Sequence, residues 1–197
     1  AAPRGVVEVV QEALAGGCRA IQLRDKKGSA REVFALAKEL RTLTRASDAL
    51  LFVNDRVDIA LAAGADGVHL GPSDQPLACA RHWAGPYLLL AYSTDEPGQA
   101  VDAVAQGADY IGCGAVFGTT TKDVGGEAIG LERLGEVALA VPVPVLGIGG
   151  ISEDNVDGVA RSSAAGAAVV RSVMAAADPR AAVARLLDRL GRTRTDA

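Results

Sequence analysis

One short pattern occurs three times in the chain and constrains its fold more than any other feature. The copies are GGCRAIQL (16–23), AGADGVHL (63–70) and QGADYIGC (106–113), and they begin 47 and 43 residues apart. Glycine commonly ends a helix, and a short apolar run bounded by turn residues is typical of a buried strand. Intervals of this length fit one strand and one helix per unit. The repeat therefore predicts alternating strands and helices around a parallel sheet.

The composition favours the same architecture. Hydrophobic residues make up 49% of the chain and aromatic residues only 4%, so the core must be built from small and aliphatic side chains. Such cores are typical of parallel sheets covered by helices, and this favours α/β over an all-β sandwich. At 197 residues the whole chain, 1–197, is expected to form one domain.

Hydrophobic periodicity and turn residues predict seven strands and eight helices. The expected strands are 20–23, 50–53, 67–70, 87–91, 109–113, 145–148 and 167–170. The expected helices are 5–15, 29–43, 55–63, 76–83, 96–106, 131–140, 153–161 and 179–190. Ser29 and Glu32 have the spacing of a capping box at the start of the second helix. This order predicts a (β/α)₈ TIM barrel ahead of an open doubly wound sheet.

The strand count differs from that of a complete barrel. The first predicted helix has no strand before it, so we expect that the first strand of the barrel is missing from this sequence. A truncated chain and an omitted N-terminal part are both open, and a barrel closed by seven strands is the less favoured alternative.

Charge and cysteine usage exclude several classes of function. The chain has 20 basic and 24 acidic residues and a net charge of −4, which argues against general nucleic-acid binding. Its three cysteines form no C-x-x-C arrangement, so neither a disulfide framework nor a zinc site is predicted. No run of about 18 apolar residues and no signal-peptide pattern occurs. We therefore expect a cytoplasmic protein that does not bind membranes.

The segment YIGCGAVFGTTTK (110–122) predicts a strand that delivers polar groups into a pocket. Gly112 and Gly114 could leave room for a ligand beside the backbone. Thr119, Thr120, Thr121 and Lys122 could then bind an anion, because hydroxyl and ammonium groups are phosphate donors.

Polar side chains also follow the other predicted strands, at the rim where barrel enzymes carry their chemistry. Two carboxylates from neighbouring strand ends, Asp55 and Asp74, suit a hard cation such as Mg²⁺. In the alternative, each aspartate only caps the helix that follows it. Three cations at the same rim favour a diphosphate–metal complex over a solvated rim, and they are Arg24, Lys26 and Lys122.

Two further features of this rim have open interpretations. Gly149 and Gly150 follow a strand and resemble the phosphate cradle found after the last two strands of many barrels, although a tight turn would explain them equally. His69 is in a predicted strand, where it has a structural role or lines the interior.

Together these motifs resemble the thiamine-phosphate synthase family over nearly the whole chain. The resemblance rests on QLRDK, VNDRVDIALAAGADGVHLGPSD, YST, GADYIGCGAVFGTTTK and GIGGI, in that order. It implies the condensation of 4-amino-2-methyl-5-hydroxymethylpyrimidine diphosphate with a thiazole monophosphate, giving thiamine phosphate and pyrophosphate, with Mg²⁺ as cofactor. It also implies a dissociative mechanism without a strong base.

The resemblance assigns roles to individual positions. Asp55 and Asp74 match the Mg²⁺ ligands. The positions that match the pyrimidine diphosphate site are Gln22, Arg24, Lys26, Asn54, Ser93 and Lys122, of which Arg24, Lys26, Ser93 and Lys122 are the expected catalytic residues. The positions that match the thiazole phosphate site are Thr119, Thr121, Gly150, Val170 and Arg171. Arg171 stands where the family often has serine, and Ala91 and Tyr92 stand where a glycine is common.

Two other functions are compatible with the fold. A thiazole tautomerase shares the strands and glycines, but its catalytic histidine would fall at Ala115. A non-catalytic barrel that binds a phosphorylated ligand would not need the complete set of carboxylates and cations. The expected partners are small-molecule substrates, and a homodimer is one option for the assembly.

Overall fold

The computed structural model describes residues 4–118 and 128–195, with side chains described up to residue 191. Within these ranges, parallel strands alternate with helices along the chain. The strands are β1 (Ala20–Leu23), β2 (Leu50–Asn54), β3 (Gly67–Leu70), β4 (Leu89–Ser93), β5 (Tyr110–Cys113), β6 (Val145–Ile148) and β7 (Gly166–Ala168). The helices are α1 (Val6–Ala15), α2 (Ala30–Ala46), α3 (Val57–Ala63), α4 (Leu77–Ala84), α5 (Pro97–Ala105), α6 (Gly130–Ala140), α7 (Val156–Arg161), α8 (Arg171–Met174) and α9 (Pro179–Thr195).

The strands form one parallel sheet in which each strand pairs with the next one along the chain, from β1 to β7. The sheet is curled, and the fold resembles a TIM barrel. Among the described residues, no strand lies between β7 and β1 to close the sheet into a ring. The expectation that a strand before α1 is missing is not tested by this observation and stays a prediction.

Alternation along the strands separates an outer core from an inner surface. Leu51, Val53, Val68 and Leu90 point outward and have no exposed side-chain surface, because the surrounding helices cover them. The inner surface carries larger polar and aromatic groups together with glycines. For example, the Phe52 ring fills the space beside Gly67, where a β-carbon would clash with it. The candidate site therefore lies at one end of a packed interior.

The repeated pattern in the sequence corresponds to a repeated structural clamp at the amino ends of β3 and β5. The Asp66 carboxylate accepts two hydrogen bonds from Arg41 of α2, at 2.8 and 2.9 Å, and one from a backbone N–H of β2 at 2.8 Å. Asp109 likewise accepts from Arg81 of α4 at 2.6 Å and from a backbone N–H of β4 at 2.7 Å. Each aspartate thus joins a helix to the strand before it, at the rim opposite the predicted chemistry.

Most predicted elements are confirmed, and the differences have local causes. Strands β1, β3 and β6 have the predicted bounds, and Ser29 and Glu32 form the predicted capping box. Strand β4 begins two residues later than predicted, and Tyr87 is instead 92% exposed. Helix α8 was not predicted, because four residues are too few to show a helical period.

None of the described helices is long and apolar enough to cross a bilayer.

Candidate active site

The carboxyl ends of β1 to β4 bring most of the predicted pyrimidine and metal residues to one rim. Because parallel strands all point the same way, Gln22 on β1, Asn54 on β2 and Ser93 on β4 reach the same end of the sheet. Arg24 and Lys26 are exposed in the segment that directly follows β1. This placement agrees with the sequence-based expectation for these five residues.

A salt bridge joins the ends of β1 and β2. The Nζ of Lys26 lies 3.0 Å from Oδ2 of Asp55. Asp55 adopts a left-handed backbone conformation with φ of 64°, and its N–H donates to the carbonyl of His69 at 2.8 Å. Aspartate tolerates this conformation better than most residues do. The turn directly after β2 therefore holds the Asp55 carboxylate toward the segment after β1.

Asp74 lies close enough to Asp55 for the two carboxyl groups to interact. Burial is the main factor that raises the pKa of Asp74, and a hydrogen bond and the negative charge from Asp55 raise this pKa further. The N–H of Gly71, which donates to Oδ2 of Asp74 at 2.7 Å, and the charge of Lys26 act in the opposite direction. Two carboxylates and one ammonium group thus share a small region of the rim.

The helix-capping alternative for the two aspartates is wrong. Arg56 occupies the N-cap position of α3 and Pro76 that of α4, and neither helix start has a side-chain cap. Asp55 instead pairs with Lys26, and Asp74 accepts from a backbone N–H within its own turn. The side chains of Asp55 and Asp74 therefore do not cap the helices that follow them.

The donor set fits a hard divalent cation that takes the rest of its ligands from phosphate. Magnesium is commonly bound by one or two carboxylates together with water and phosphate oxygens. Across residues 4–118 and 128–191, no group of three or more acidic, histidine or cysteine side chains is arranged to hold a metal. A cation at Asp55 and Asp74 would accordingly take its other oxygen ligands from water or from a bound phosphate.

Behind this rim, a chain of hydrogen bonds crosses the interior from β4 to β5. Nε2 of His69 is 2.7 Å from Oγ of Ser93, and Nδ1 of His69 is 3.2 Å from the hydroxyl of Tyr110. Burial raises the pKa of Tyr110, while a hydrogen bond from the Gln22 side chain has a smaller, opposite effect. The chain therefore connects two of the predicted substrate residues, Ser93 and Gln22.

Sequence reasoning gave Tyr110 no role and left that of His69 open. A signal was present in the repeat, because aligning its copies places His69 at the position of Gln22 and thus on the inner face of its strand. The contacts of His69 with Ser93 and with Tyr110 depend on the register of β3, β4 and β5, which the sequence does not reveal.

The predicted ligand space beside Gly112 and Gly114 is occupied by protein atoms. A β-carbon at Gly112 would lie 2.9 Å from Cε1 of His69, so the imidazole ring fills this space. A β-carbon at Gly114 would clash with the carbonyl oxygen of Ile148. The prediction that these two glycines leave room for a ligand is therefore wrong, because both accommodate neighbouring groups of the fold.

Close packing explains the glycines after β6. Gly149 and Gly150 have φ of 100° and 63°. A β-carbon at Gly150 would lie 2.6 Å from the carbonyl oxygen of Gly118, and one at Gly149 would lie 2.6 Å from Cα of Ala115. The loop after β6 thus packs directly against the loop after β5. The tight-turn interpretation accounts for both glycines, and anion binding by Gly150 stays a prediction.

The loops after β6 and β7 are also joined to each other. The hydroxyl of Ser172, in α8, donates to the carbonyl of Ile151 at 2.6 Å. Val170 and Arg171, at the start of α8, are both exposed near this connection. Helix α7 begins at Val156, three residues after the predicted start at Glu153. The Asn155 side chain bonds to the Gly150 carbonyl at 3.0 Å, within the intervening loop.

Three predicted site residues, Thr119, Thr121 and Lys122, lie outside the described residues. The chain on either side of them is described. The N–H groups of Ile129 and Gly130 donate to the carbonyls of Ala115 and Val116 at 2.9 and 3.0 Å. The residues that precede α6 therefore return to the carboxyl end of β5.

Comparison with known proteins agrees with this arrangement. A family model described as thiamine monophosphate synthase matches residues 2–173. A thiamine-phosphate synthase from Moorella thermoacetica is 46% identical over 191 residues, which span 97% of this chain and 91% of the relative. One from Roseiflexus castenholzii is 47% identical over 188 residues, covering 95% of this chain and 82% of the relative.

A solved structure is also similar over nearly the whole chain. The thiamine phosphate pyrophosphorylase from Pyrococcus furiosus superposes with a TM-score of 0.90 and 43% sequence identity, covering 97% of this chain and 92% of that one. Since the family model matches most of the chain and the relatives match it nearly from end to end, the chain belongs to the thiamine-phosphate synthase family, whose members are transferase enzymes.

Proposed function

We propose that the protein condenses 4-amino-2-methyl-5-hydroxymethylpyrimidine diphosphate with 4-methyl-5-(2-phosphoethyl)thiazole, releasing pyrophosphate and forming thiamine phosphate. The observation that carries this proposal is the arrangement of Lys26, Asp55 and Asp74 at the carboxyl ends of neighbouring strands. Paired carboxylates beside an ammonium group are suited to a diphosphate bound with a divalent cation. The family of the chain points to the same reaction.

Asp55 and Asp74 would hold Mg²⁺, and the cation would neutralise part of the negative charge that develops on the leaving diphosphate. Lys26 and Arg24 would contribute fixed positive charge to the same leaving group, and Ser93 would donate a hydrogen bond to it. Side chains that are fixed before the reaction stabilise such charge without reorganising. Gln22 and Asn54 would orient the pyrimidine ring through their amides, as the resemblance to the family implies.

In the proposed reaction the bond between the pyrimidine methylene carbon and the diphosphate oxygen breaks first, and both electrons leave with the oxygen. The thiazole nitrogen then forms a bond to the methylene carbon with its lone pair. No proton has to be removed from either substrate, so no general base is required. The contribution of the protein is to stabilise the leaving group and to place the thiazole nitrogen beside the carbon.

The thiazole phosphate would bind on the β6–β7 side of the rim. Gly150, Val170 and Arg171 would form this subsite together with Thr119 and Thr121, while Lys122 would reach the diphosphate. The hydrogen bond from Ser172 to Ile151 supports the assignment, because it holds the loops after β6 and β7 together. Arg171 would add positive charge at a position where the family often has serine.

The direct test is to incubate the purified protein with both substrates and Mg²⁺ and to measure thiamine phosphate and pyrophosphate. We expect equal amounts of the two products, and no product when EDTA removes the metal. The variants Asp55→Asn and Asp74→Asn should lose activity, while Asp58→Asn, an exposed aspartate on α3, should keep it. Binding of the substrates without any product would favour the non-catalytic alternative and contradict the proposal.

A further inference from the structure

We propose that His69 and Tyr110 are positioning residues that direct the hydroxyl of Ser93 toward the diphosphate. This inference rests on the proposed function, in which Ser93 contacts the pyrimidine diphosphate. Neither residue reaches the rim as Ser93 does, since their side chains lie between strands in the interior. Their effect on the reaction would therefore pass through Ser93.

The direction of the hydrogen bonds follows from the groups in the chain. The Gln22 side chain lowers the pKa of Tyr110, as an amide N–H directed at the phenol oxygen would, and this leaves the hydroxyl proton available to His69. If Tyr110 donates to Nδ1 of His69, the imidazole proton resides on Nε2 and is donated to the oxygen of Ser93, 2.7 Å away. Among the described residues, no hydrogen bond then uses the Ser93 hydroxyl proton, which is available to a ligand at the rim. Ser93 is thereby fixed as a donor, which is the role a diphosphate oxygen requires.

Packing fixes the position of the imidazole ring, while its hydrogen bonds set the tautomer. A β-carbon at Gly112 would be 2.9 Å from Cε1 and 3.4 Å from Nε2 of His69. Only glycine at this position lets the ring lie flat enough against β5 to reach Ser93. The Tyr110 ring is held in turn by edge-to-face packing on Phe52, with ring centroids 5.2 Å apart and planes at 86°.

The chain also couples the two ends of the proposed pyrimidine site. Gln22 is on β1 and Ser93 is on β4, and their side chains are connected through Tyr110 and His69. Without the Tyr110 hydroxyl, the imidazole proton would no longer be held on Nε2 of His69, and the Gln22 amide would lose its partner. We therefore expect removal of this one oxygen atom to affect the binding of the pyrimidine diphosphate and not that of the thiazole phosphate.

Tyr110→Phe tests the inference most directly, because it removes only the hydroxyl and keeps the ring on Phe52. We expect it to lower kcat/KM for the pyrimidine diphosphate by about two- to tenfold, the usual effect of one neutral hydrogen bond. The KM for the thiazole phosphate and the thermal unfolding temperature should stay close to those of the parent protein. Tyr87→Phe is the matched control, because Tyr87 is 92% exposed.

A conservative replacement of the histidine should separate positioning from packing. His69→Gln retains an amide N–H that can donate to Ser93 and should keep most of the activity. His69→Leu removes the donor and should lose more, by about tenfold. If both variants lose activity equally while remaining folded, His69 does not act as a donor to Ser93 and the inference is wrong.

A double-mutant cycle with Ser93→Ala distinguishes this inference from the proposed function. If Tyr110 acts through Ser93, adding Tyr110→Phe to Ser93→Ala should cause a smaller loss than Tyr110→Phe causes in the parent protein, and any remaining loss acts through Gln22. Full additivity would overturn the inference and leave the role of Ser93 intact. An active Ser93→Ala variant with unchanged kcat/KM would instead contradict the proposed diphosphate contact itself.

Discussion

Lys26, in the loop after β1, neutralises Asp55, in the turn after β2, with 3.0 Å between the ammonium nitrogen and the carboxylate oxygen. Asp74 lies beside this pair and interacts unfavourably with the Asp55 carboxylate. Two carboxylates beside a single ammonium group leave this part of the rim with a deficit of positive charge. This deficit supports the proposed binding of a divalent cation and leads to predictions for stability and catalysis that can be measured.

The first prediction concerns the pH dependence of stability. Because the pKa of Asp74 is raised in the folded protein, its stabilising contribution is present below the ordinary pKa of 3.8 and is lost as the pH rises through the folded value. Asp74→Asn stays neutral at every pH, so we expect it to be more stable than the parent at pH 7 without Mg²⁺. The gain should vanish in acid, where Asp74 is itself protonated. Thermal unfolding at several pH values would measure both effects.

A second prediction concerns Arg24, which we place beside the leaving diphosphate. Arg24→Ala should lower kcat by about 10²-fold, the usual loss when a preorganised charge-stabilising group is removed. Arg45→Ala removes an exposed arginine from the last turn of α2, at the opposite rim, and serves as the control. Steady-state rates of pyrophosphate release would show the difference. Equal rates for the two variants would exclude Arg24 from the diphosphate site.

The clamps at the opposite rim should affect stability and leave the chemistry intact. The Arg41 and Asp66 side chains are only 17% and 22% exposed, and a strand N–H also depends on this carboxylate. We expect Asp66→Asn to lower the free energy of unfolding by about 1–3 kcal/mol, as for other lost hydrogen bonds to charged groups. Asp58→Asn breaks an ion pair whose side chains are 43% and 62% exposed and should change little. Denaturant unfolding of both variants, with turnover measured at low temperature, tests this expectation.

Gly150 provides a test of the contact between the loops after β5 and β6. Gly150→Ala combines an unfavourable φ of 63° with a β-carbon placed 2.6 Å from the Gly118 carbonyl oxygen. We expect a lower unfolding temperature and a higher KM for the thiazole phosphate, with the KM for the pyrimidine diphosphate less affected. Gly98→Ala, in α5, has open space around the new methyl group and should not destabilise the protein. An unchanged thiazole KM in a folded Gly150→Ala variant would remove Gly150 from that subsite.

The sequence predicts those elements whose boundaries are set by local chemistry. Strand β3 has the expected bounds because its apolar run lies between glycines, and α2 starts where Ser29 and Glu32 form a capping box. The order of the strands follows from the repeated strand–helix unit. Local patterns of this kind also place Asp55 and Asp74 at one rim.

Contacts between distant segments could not be predicted in the same way. The His69 ring occupies the space at Gly112 because β3, β4 and β5 have a particular register, and a glycine in the sequence does not show what fills the space beside it. In the same way, the carbonyl group of Ile148 occupies the space beside Gly114. At Gly112 and Gly114 the glycine reflects close approach of another group, and the identity of that group becomes known only from the structure.

The aspartate clamps of β3 and β5 have a consequence for protein engineering. They tie strands to helices at one end of the sheet, through contacts that include no residue of the proposed substrate sites. Randomised libraries at the opposite end should thus retain a high proportion of folded members. Because these stabilising contacts and the proposed substrate sites lie at opposite ends of the sheet, mutations that change the substrate preference should not require compensating mutations elsewhere.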